Sequence, residues 1–439
     1  MPWNDTMKQL MGKATELVRN GRLTEATHAI QQALGNPAAK THTPPDAAAP
    51  GPAPAPARWR PTAATDIEDA VLVEPRRDAA SEVGPVWEST PDPDPAPSPS
   101  PEPVQAPAPV ARAAAHPHAE APGSFTRVAF HHPGVGHGVH HYHLYVPPGA
   151  DAATPMPLVL MLHGCTQNPV DFAAGTRMNS AAAPVNALVL YPEQPQNANP
   201  NGCWNLFRPE DQHRGRGEPG LLVAMVRDVM ARHPVDAQRV YVAGLSAGGA
   251  MAALLGREYP DVFAAVGVHS GLQAGAAHNV MSALSAMKNG AKPGSAAARQ
   301  AASTRPATGP TLPPPPMIVF HGDADPTVHA HNGEQLIEAT LTALAITPGG
   351  EQATVEMVHK GQSPHGQGYT RTVYSVVSGA PADKASPSQV VAEHWVLQGA
   401  GHAWSGGHAG GSHTDPRGVN ATQEMLRFFV ERPHAAVHL

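Results

Sequence analysis

Ser246 sits in the run Gly244-Leu245-Ser246-Ala247-Gly248, a G-x-S-x-G pattern. A serine so framed could attack an acyl carbon, but its hydroxyl is a weak nucleophile at neutral pH. It needs a histidine to take the proton and a carboxylate to hold that histidine in the right tautomer. The pattern alone decides little, because a chain with 41 glycines produces such runs readily. The flanks carry more weight. Val240, Tyr241 and Val242 read as a strand entering the motif, and Met251, Leu254 and Leu255 as a helix leaving it. That is the setting that lifts a serine Oγ above the end of a sheet. Gly244 and Gly248 suit a tight turn where a Cβ would crowd the strand or the helix.

The partners should follow in the order acid, then histidine. "PMIVFHGDADPTVHAHNGEQL" is a buried strand followed by a loop and a helix, with Asp323 and Asp325 at the strand's carboxyl end. Asp325 is preferred, since the HG-x-x-D-x-x-V loop carries its acid there in many α/β-hydrolases, and Asp323 then reads as a turn or capping residue. Among 26 histidines, His402 is selected by position, in the glycine-rich loop after the strand of "WVLQGAGHAWSGG". His163 and His321 each precede glycine at a strand end and read as packing or hydrogen-bonding beneath the site. An oxyanion hole needs two backbone donors: the N–H of Ala247, after the nucleophile, and one from the loop of "LMLHGCTQNPVDF". There Cys165 is chosen over its neighbours Gly164 and Thr166.

These residues need strand ends to hold them. Apolar runs at "HHYHLYVPP", "PLVLMLHG", "ALVLYPE", "RVYVAGLS", "AAVGVHSG", "PMIVFHGD" and "AEHWVLQGAGH" read as strands. Helical patterns at "LLVAMVRDVMARH", "AGGAMAALLGREYP", "GEQLIEATLTALA" and "NATQEMLRFFVER" fall between or after them. Near-continuous apolarity marks strands covered on both faces. The pattern predicts an α/β fold with a mostly parallel, doubly wound sheet whose ligands bind at the carboxyl ends of the strands.

Three segments divide the chain. Residues 1–38 read as a short helical hairpin, with Leu10, Ala14, Leu17 and Val18 on one stripe and Leu23, Ala26, Ile30 and Leu34 on the next. The stripe either docks on the main domain or binds an unknown partner. Residues 39–122 are rich in Pro and Ala and read as a disordered linker that buries too little apolar area to offset chain entropy. Residues 123–433 form the folded domain, with a low-complexity insert at 294–316 read as a surface excursion.

Composition closes off other classes. A net charge of −7 without a long Lys/Arg run gives no footprint for nucleic acid or an anionic membrane surface. No apolar run reaches the roughly 18 residues a membrane span requires, and the first residues lack the continuous apolar core of a signal peptide. The stretch "HHPGVGHGVHHYHLYVPP" groups six histidines but has no acidic or cysteine ligand nearby, so a surface hairpin is expected and no metal. Two cysteines, Cys165 and Cys203, are too few for a disulfide scaffold and wrongly spaced for zinc, which leaves their pairing open.

Taken together, "LHGCTQN", "GCWNLF", "VAGLSAGGAM", "FHGDADPTVH" and "GAGHAWSGG" resemble the polyhydroxybutyrate (PHB) depolymerase family of esterases, and through them feruloyl and acetylxylan esterases. The resemblance spans Ser124 to Pro433. It implies an α/β-hydrolase fold and cofactor-free hydrolysis of carboxylic esters by Ser246, Asp325 and His402. The implied substrate is a hydroxyalkanoate polyester or its oligomers, with feruloyl or acetylxylan esters as the alternative. It also places Trp204 in the cleft beside the nucleophile, a core tryptophan being the blander reading. Because both cysteine segments must then approach the site, a Cys165–Cys203 disulfide is expected. That implies an oxidising, extracellular setting, against which the missing signal peptide keeps a cytoplasmic one open. The chain departs from secreted polymer-degrading members in showing no polymer-binding domain after the catalytic one, which leaves soluble oligomers or small aryl and acetyl esters as expectations equal to solid polymer. Two further readings stand behind these: an inactive hydrolase-like binding protein tethered by its hairpin, and, ranked low, a serine peptidase.

Overall fold

The computed structural model describes residues 122–131, 138–291, 312–345, 353–377 and 388–434. The hairpin expected over 1–38, the linker as far as 121 and the insert as far as 311 lie outside the described residues.

In chain order the strands are β1 (Ser124–His131), β2 (Val139–Val146), β3 (Met156–Leu162), β4 (Leu188–Pro192), β5 (Val235–Leu245), β6 (Ala265–His269), β7 (Met317–Gly322), β8 (Ala353–Gln362), β9 (Gly368–Val377), β10 (Ser388–Leu397), β11 (Trp404–Ser405) and β12 (Thr414–Asp415). The helices are α1 (Pro169–Thr176), α2 (Met178–Ala182), α3 (Gly217–Arg232), α4 (Ala247–Glu258), α5 (Val280–Asn289), α6 (His331–Ala345) and α7 (Ala421–Val430). Ten strands form one sheet in the order β1-β2-β4-β3-β5-β6-β7-β10-β9-β8. Its six central strands, β4 to β10 in that order, are parallel. Antiparallel pairs extend both edges. A parallel centre wrapped by helices, with the chain reversing direction across the sheet between β3 and β4, is the α/β-hydrolase arrangement.

Strand alternation explains the continuous apolar runs. Leu158, Leu160 and Leu162 of β3 face one side with Val242, Val268, Val319 and Leu336, while Val159 and Met161 face the other with Ala243, Phe320, Trp395 and Phe429. Every residue of β3, β4, β6 and β7 is buried, as both faces demand.

The elements absent from the sequence reading are those without that signature. β1 and the β8–β9 hairpin lie toward the sheet edges and expose much of their length, so their apolar positions are diluted by polar ones. α1 and α5 are short and defined by their caps. Asn168 accepts from Val170 N–H and Asp171 N–H with Pro169 following it, and Asn279 forms a reciprocal capping box with Ser282. Among the described residues no helix is long and apolar enough to cross a membrane.

Candidate active site

β5 delivers Ser246 into a sharp turn at φ 58° and ψ −119°. A serine held there stores about 1–3 kcal/mol of strain. The turn is fastened from both sides: Ser246 N–H donates to His269 O at 2.9 Å, and Ser246 O accepts from Ala250 N–H at 2.9 Å as α4 begins. Gly244 and Gly248 are required by close approach. A Cβ on Gly248 would strike the carbonyls of Leu162 and His163, and one on Gly244 would strike Gly248 itself. Ser246 is 9% exposed. Among the described residues its hydroxyl has no hydrogen-bond partner and is not fully sealed from solvent.

The acid loop follows β7, two strands away. Asp325 Oδ1 accepts from Thr327 N–H at 2.8 Å and Val328 N–H at 2.9 Å, which leaves Oδ2 for His402 Nδ1 at 2.7 Å. Burial pulls this carboxyl upward, but the His402 bond, the charge of His402 and the two backbone N–H bonds outweigh it, and the net shift is downward. Asp323, the other acid on the loop, accepts Gly399 N–H at 2.7 Å. With Asp323 N–H to Leu397 O and Ala324 N–H to Ala400 O, it continues the β7–β10 pairing beyond the strands. The loop that carries His402 is thereby drawn against the loop that carries Asp325.

The donors sit on the third side. Among the described residues the N–H groups of Cys165 and Ala247 meet no protein acceptor. Three nearby N–H groups are engaged: Gly164 N–H with Gln167 Oε1 at 3.0 Å, Thr166 N–H with Asn201 O at 2.7 Å, and Ser246 N–H with His269 O. Uncommitted backbone donors beside a serine are the kind of group an oxyanion hole uses. Gly164 lies against Ser246, since a Cβ there would come within 3.6 Å of the Ser246 Cβ.

A buried framework holds that loop. Cys165 is joined to Cys203 by a disulfide. His163 Nδ1 donates to Gly164 O at 2.8 Å, and Nε2 accepts Gln194 N–H at 3.3 Å, which fixes one neutral tautomer. Burial also pushes this imidazole's pKa down. Below it, Glu218 accepts Gln194 Nε2 at 2.5 Å, Asn205 Nδ2 at 2.6 Å and Asn205 N–H at 2.7 Å. Burial, and then the charge of Asp211, push the Glu218 carboxyl up to about 7 against those bonds.

Trp204 departs from the place the resemblance implies. Its ring is 2% exposed, packs beside His163 at 5.4 Å and donates Nε1–H to His163 O at 3.0 Å. A buried indole must place its N–H on an acceptor, and here the acceptor is the strand end beneath the oxyanion loop. The ring braces that loop from below rather than offering a face to a ligand.

Residue types alone did not mark His269, Gln167 or Glu218. His269, at the end of β6, is fully buried and stacks with both Phe320 and Trp404. Gln167 Nε2 donates to Asp171 Oδ2 and Ser412 O, both at 3.0 Å, and so ties the oxyanion loop to the segment beyond His402. The available signal was position: each lies at or just past a strand end, or opens a helix beside one. Among the described residues no group of His, Cys, Asp and Glu could hold a metal ion.

Residues 140–354 match the family model described as Esterase PHB depolymerase, and the resemblance carried by the five motifs holds. Poly(3-hydroxyalkanoate) depolymerase C of Paucimonas lemoignei is 32% identical over 281 residues, which are 64% of this chain and 60% of that protein. Feruloyl esterase B of Thermothelomyces thermophilus is 35% identical over 142 residues, 32% of this chain and 47% of that one. The probable acetylxylan esterase A of Neosartorya fischeri is 27% identical over 197 residues, 43% and 52% respectively. The chain therefore spans 60% of the depolymerase's length and about half of each of the other two.

Proposed function

We propose that this chain, whose residues 140–354 match the Esterase PHB depolymerase family, is a serine esterase working through an acyl-enzyme. The observation that carries the reading is a strained Ser246 on the same sheet crest as a histidine locked to a buried carboxylate at 2.7 Å. As Ser246 Oγ attacks the ester carbonyl carbon, His402 Nε2 takes its proton. Asp325 keeps the other proton on Nδ1 and stabilises the imidazolium. The N–H groups of Cys165 and Ala247 bind the oxyanion. His402 then protonates the leaving alkoxide as the C–O bond breaks, and in the second half it activates the water that releases the acid and restores Ser246.

Hydroxyalkanoate polyester or its oligomers is the substrate class we favour, because the match to a poly(3-hydroxyalkanoate) depolymerase is the longest of the three compared. Plant cell-wall esters of the feruloyl or acetylxylan type form the second reading, supported by the 35% identity to a feruloyl esterase. We place residues 123–433 as the esterase domain. The Cys165–Cys203 disulfide favours an oxidising, extracellular setting.

A panel of hydroxybutyrate oligomers, methyl ferulate and acetylated xylan tests this, with Ser246→Ala as control. The favoured reading expects the highest kcat/KM on the oligomers. A preference of more than about tenfold for either of the others selects the second reading.

A further inference from the structure

His269 lies beneath the site and makes none of the contacts that the acyl-transfer steps use. Its backbone carbonyl accepts Ser246 N–H at 2.9 Å, and its ring Nε2 accepts Ser405 N–H at 3.0 Å, three residues beyond His402. One residue therefore holds the nucleophile's turn through its main chain and the base's loop through its side chain. Because Nε2 accepts, the ring proton lies on Nδ1, which donates to Ser270 Oγ at 3.2 Å. The ring stacks with both Phe320, 5.9 Å away at 13°, and Trp404, 5.3 Å away at 28°. Burial first, then the neighbouring His321 and His402, push the imidazole pKa down to about 3. An imidazolium would have no lone pair for Ser405, so the link holds at neutral pH.

We propose that His269 is a positioning residue that sets the separation of Ser246 and His402 by tying the two loops to one rigid ring. The proposal rests on the reading of Ser246 and His402 as nucleophile and base. It predicts that removing the Nε2 acceptor lets the His402 loop drift while leaving the ester-binding surfaces intact, so that kcat falls and KM does not.

Two pairs of variants separate this role from packing. His269→Phe keeps the stacked ring and loses the acceptor. His269→Gln gives up the ring but can set Oε1 where Nε2 stood, whereas His269→Asn has an amide too short to reach Ser405 N–H. With p-nitrophenyl butyrate, a drop of about 10- to 100-fold in kcat is expected for Phe and Asn, with KM within about twofold, and Gln should recover at least about tenfold over Asn. Melting temperatures are read alongside. A folded Phe variant with wild-type kcat overturns the proposal, and so do equal kcat values for Gln and Asn, which would leave the ring as packing only. Should Phe not fold, the Gln and Asn pair decides by itself. If Ser246→Ala retains the wild-type rate, the esterase reading fails instead; a Ser246-dependent rate indifferent to these His269 changes defeats only this proposal.

Discussion

His402 Nδ1 stands 2.7 Å from Asp325 Oδ2, and the two side chains differ in their access to water: the carboxylate is fully enclosed, whereas the imidazole keeps 12% of its surface exposed. In the proposed mechanism the enclosed carboxylate orients and charge-stabilises the ring, and the partly exposed ring carries the proton.

Asp325→Asn should therefore reduce kcat by about 10³- to 10⁴-fold at neutral pH with little change in KM, because the amide no longer holds the required tautomer or stabilises an imidazolium. Asp323→Asn, which alters only the bond to Gly399 N–H, should stay within about tenfold of wild type. Steady-state kinetics on p-nitrophenyl butyrate compare them. A larger loss at Asp323 would reassign the acid.

Reducing the Cys165–Cys203 bond, or replacing both cysteines by serine, should cost about 4 kcal/mol in the chain-entropy model for a separation of 38 residues. The same change should lower kcat if, as proposed, Cys165 N–H binds the oxyanion, since the bridge anchors that residue. Thermal melts with and without a phosphine reductant read the first effect, and parallel rate measurements the second. An unchanged melt would show that the bridge does not constrain the unfolded chain.

Trp204→Phe removes the donor to His163 O and little else. The expected result is a loss of about 1–3 kcal/mol in stability, the cost of an orphaned buried acceptor, with KM for short and long acyl esters shifting together. A KM change confined to one acyl length would return the ring to the substrate cleft.

These outcomes bear on what the sequence disclosed. The places of Ser246, Asp325 and His402 just past strands β5, β7 and β10 were legible because those strands carry apolar runs whose carboxyl ends the one-dimensional pattern marks. Trp204 and His269 were not. Whether an indole faces a cleft or a core, and whether a histidine beneath a nucleophile holds one loop or two, depends on partners 41 and 136 residues away in sequence. Glu218 was hidden for the same reason, reading as an ordinary acid in the first turn of a helix. The edge strand β8 and its neighbour β9 were missed because polar residues interrupt their short apolar stretches.

Glu218 and His394 predict opposite pH slopes in stability. The Glu218 carboxyl is raised from 4.5 to about 7 by burial and by Asp211, so the folded state holds its proton longer. That contribution is complete below about pH 4.5 and is lost as pH rises to about 7. The His394 imidazole is lowered from 6.5 to about 4, by burial and then by His321. Its contribution is complete above 6.5 and is lost as pH falls toward 4. Glu218→Gln should therefore steepen the rise of melting temperature between pH 5 and 7, and His394→Leu should flatten it, each by up to about 3 kcal/mol across the window. Parallel pH-melting curves for the three proteins would contradict both assignments.

The central claim is that Ser246 becomes acylated. Incubation of the protein with a fluorophosphonate followed by intact-mass and peptide mapping tests it directly. One adduct is expected, on Ser246, formed in step with loss of p-nitrophenyl butyrate hydrolysis and absent from Ser246→Ala, which should itself be inactive. An adduct on another residue, or a Ser246→Ala variant that keeps more than a few per cent of the wild-type rate, would contradict it.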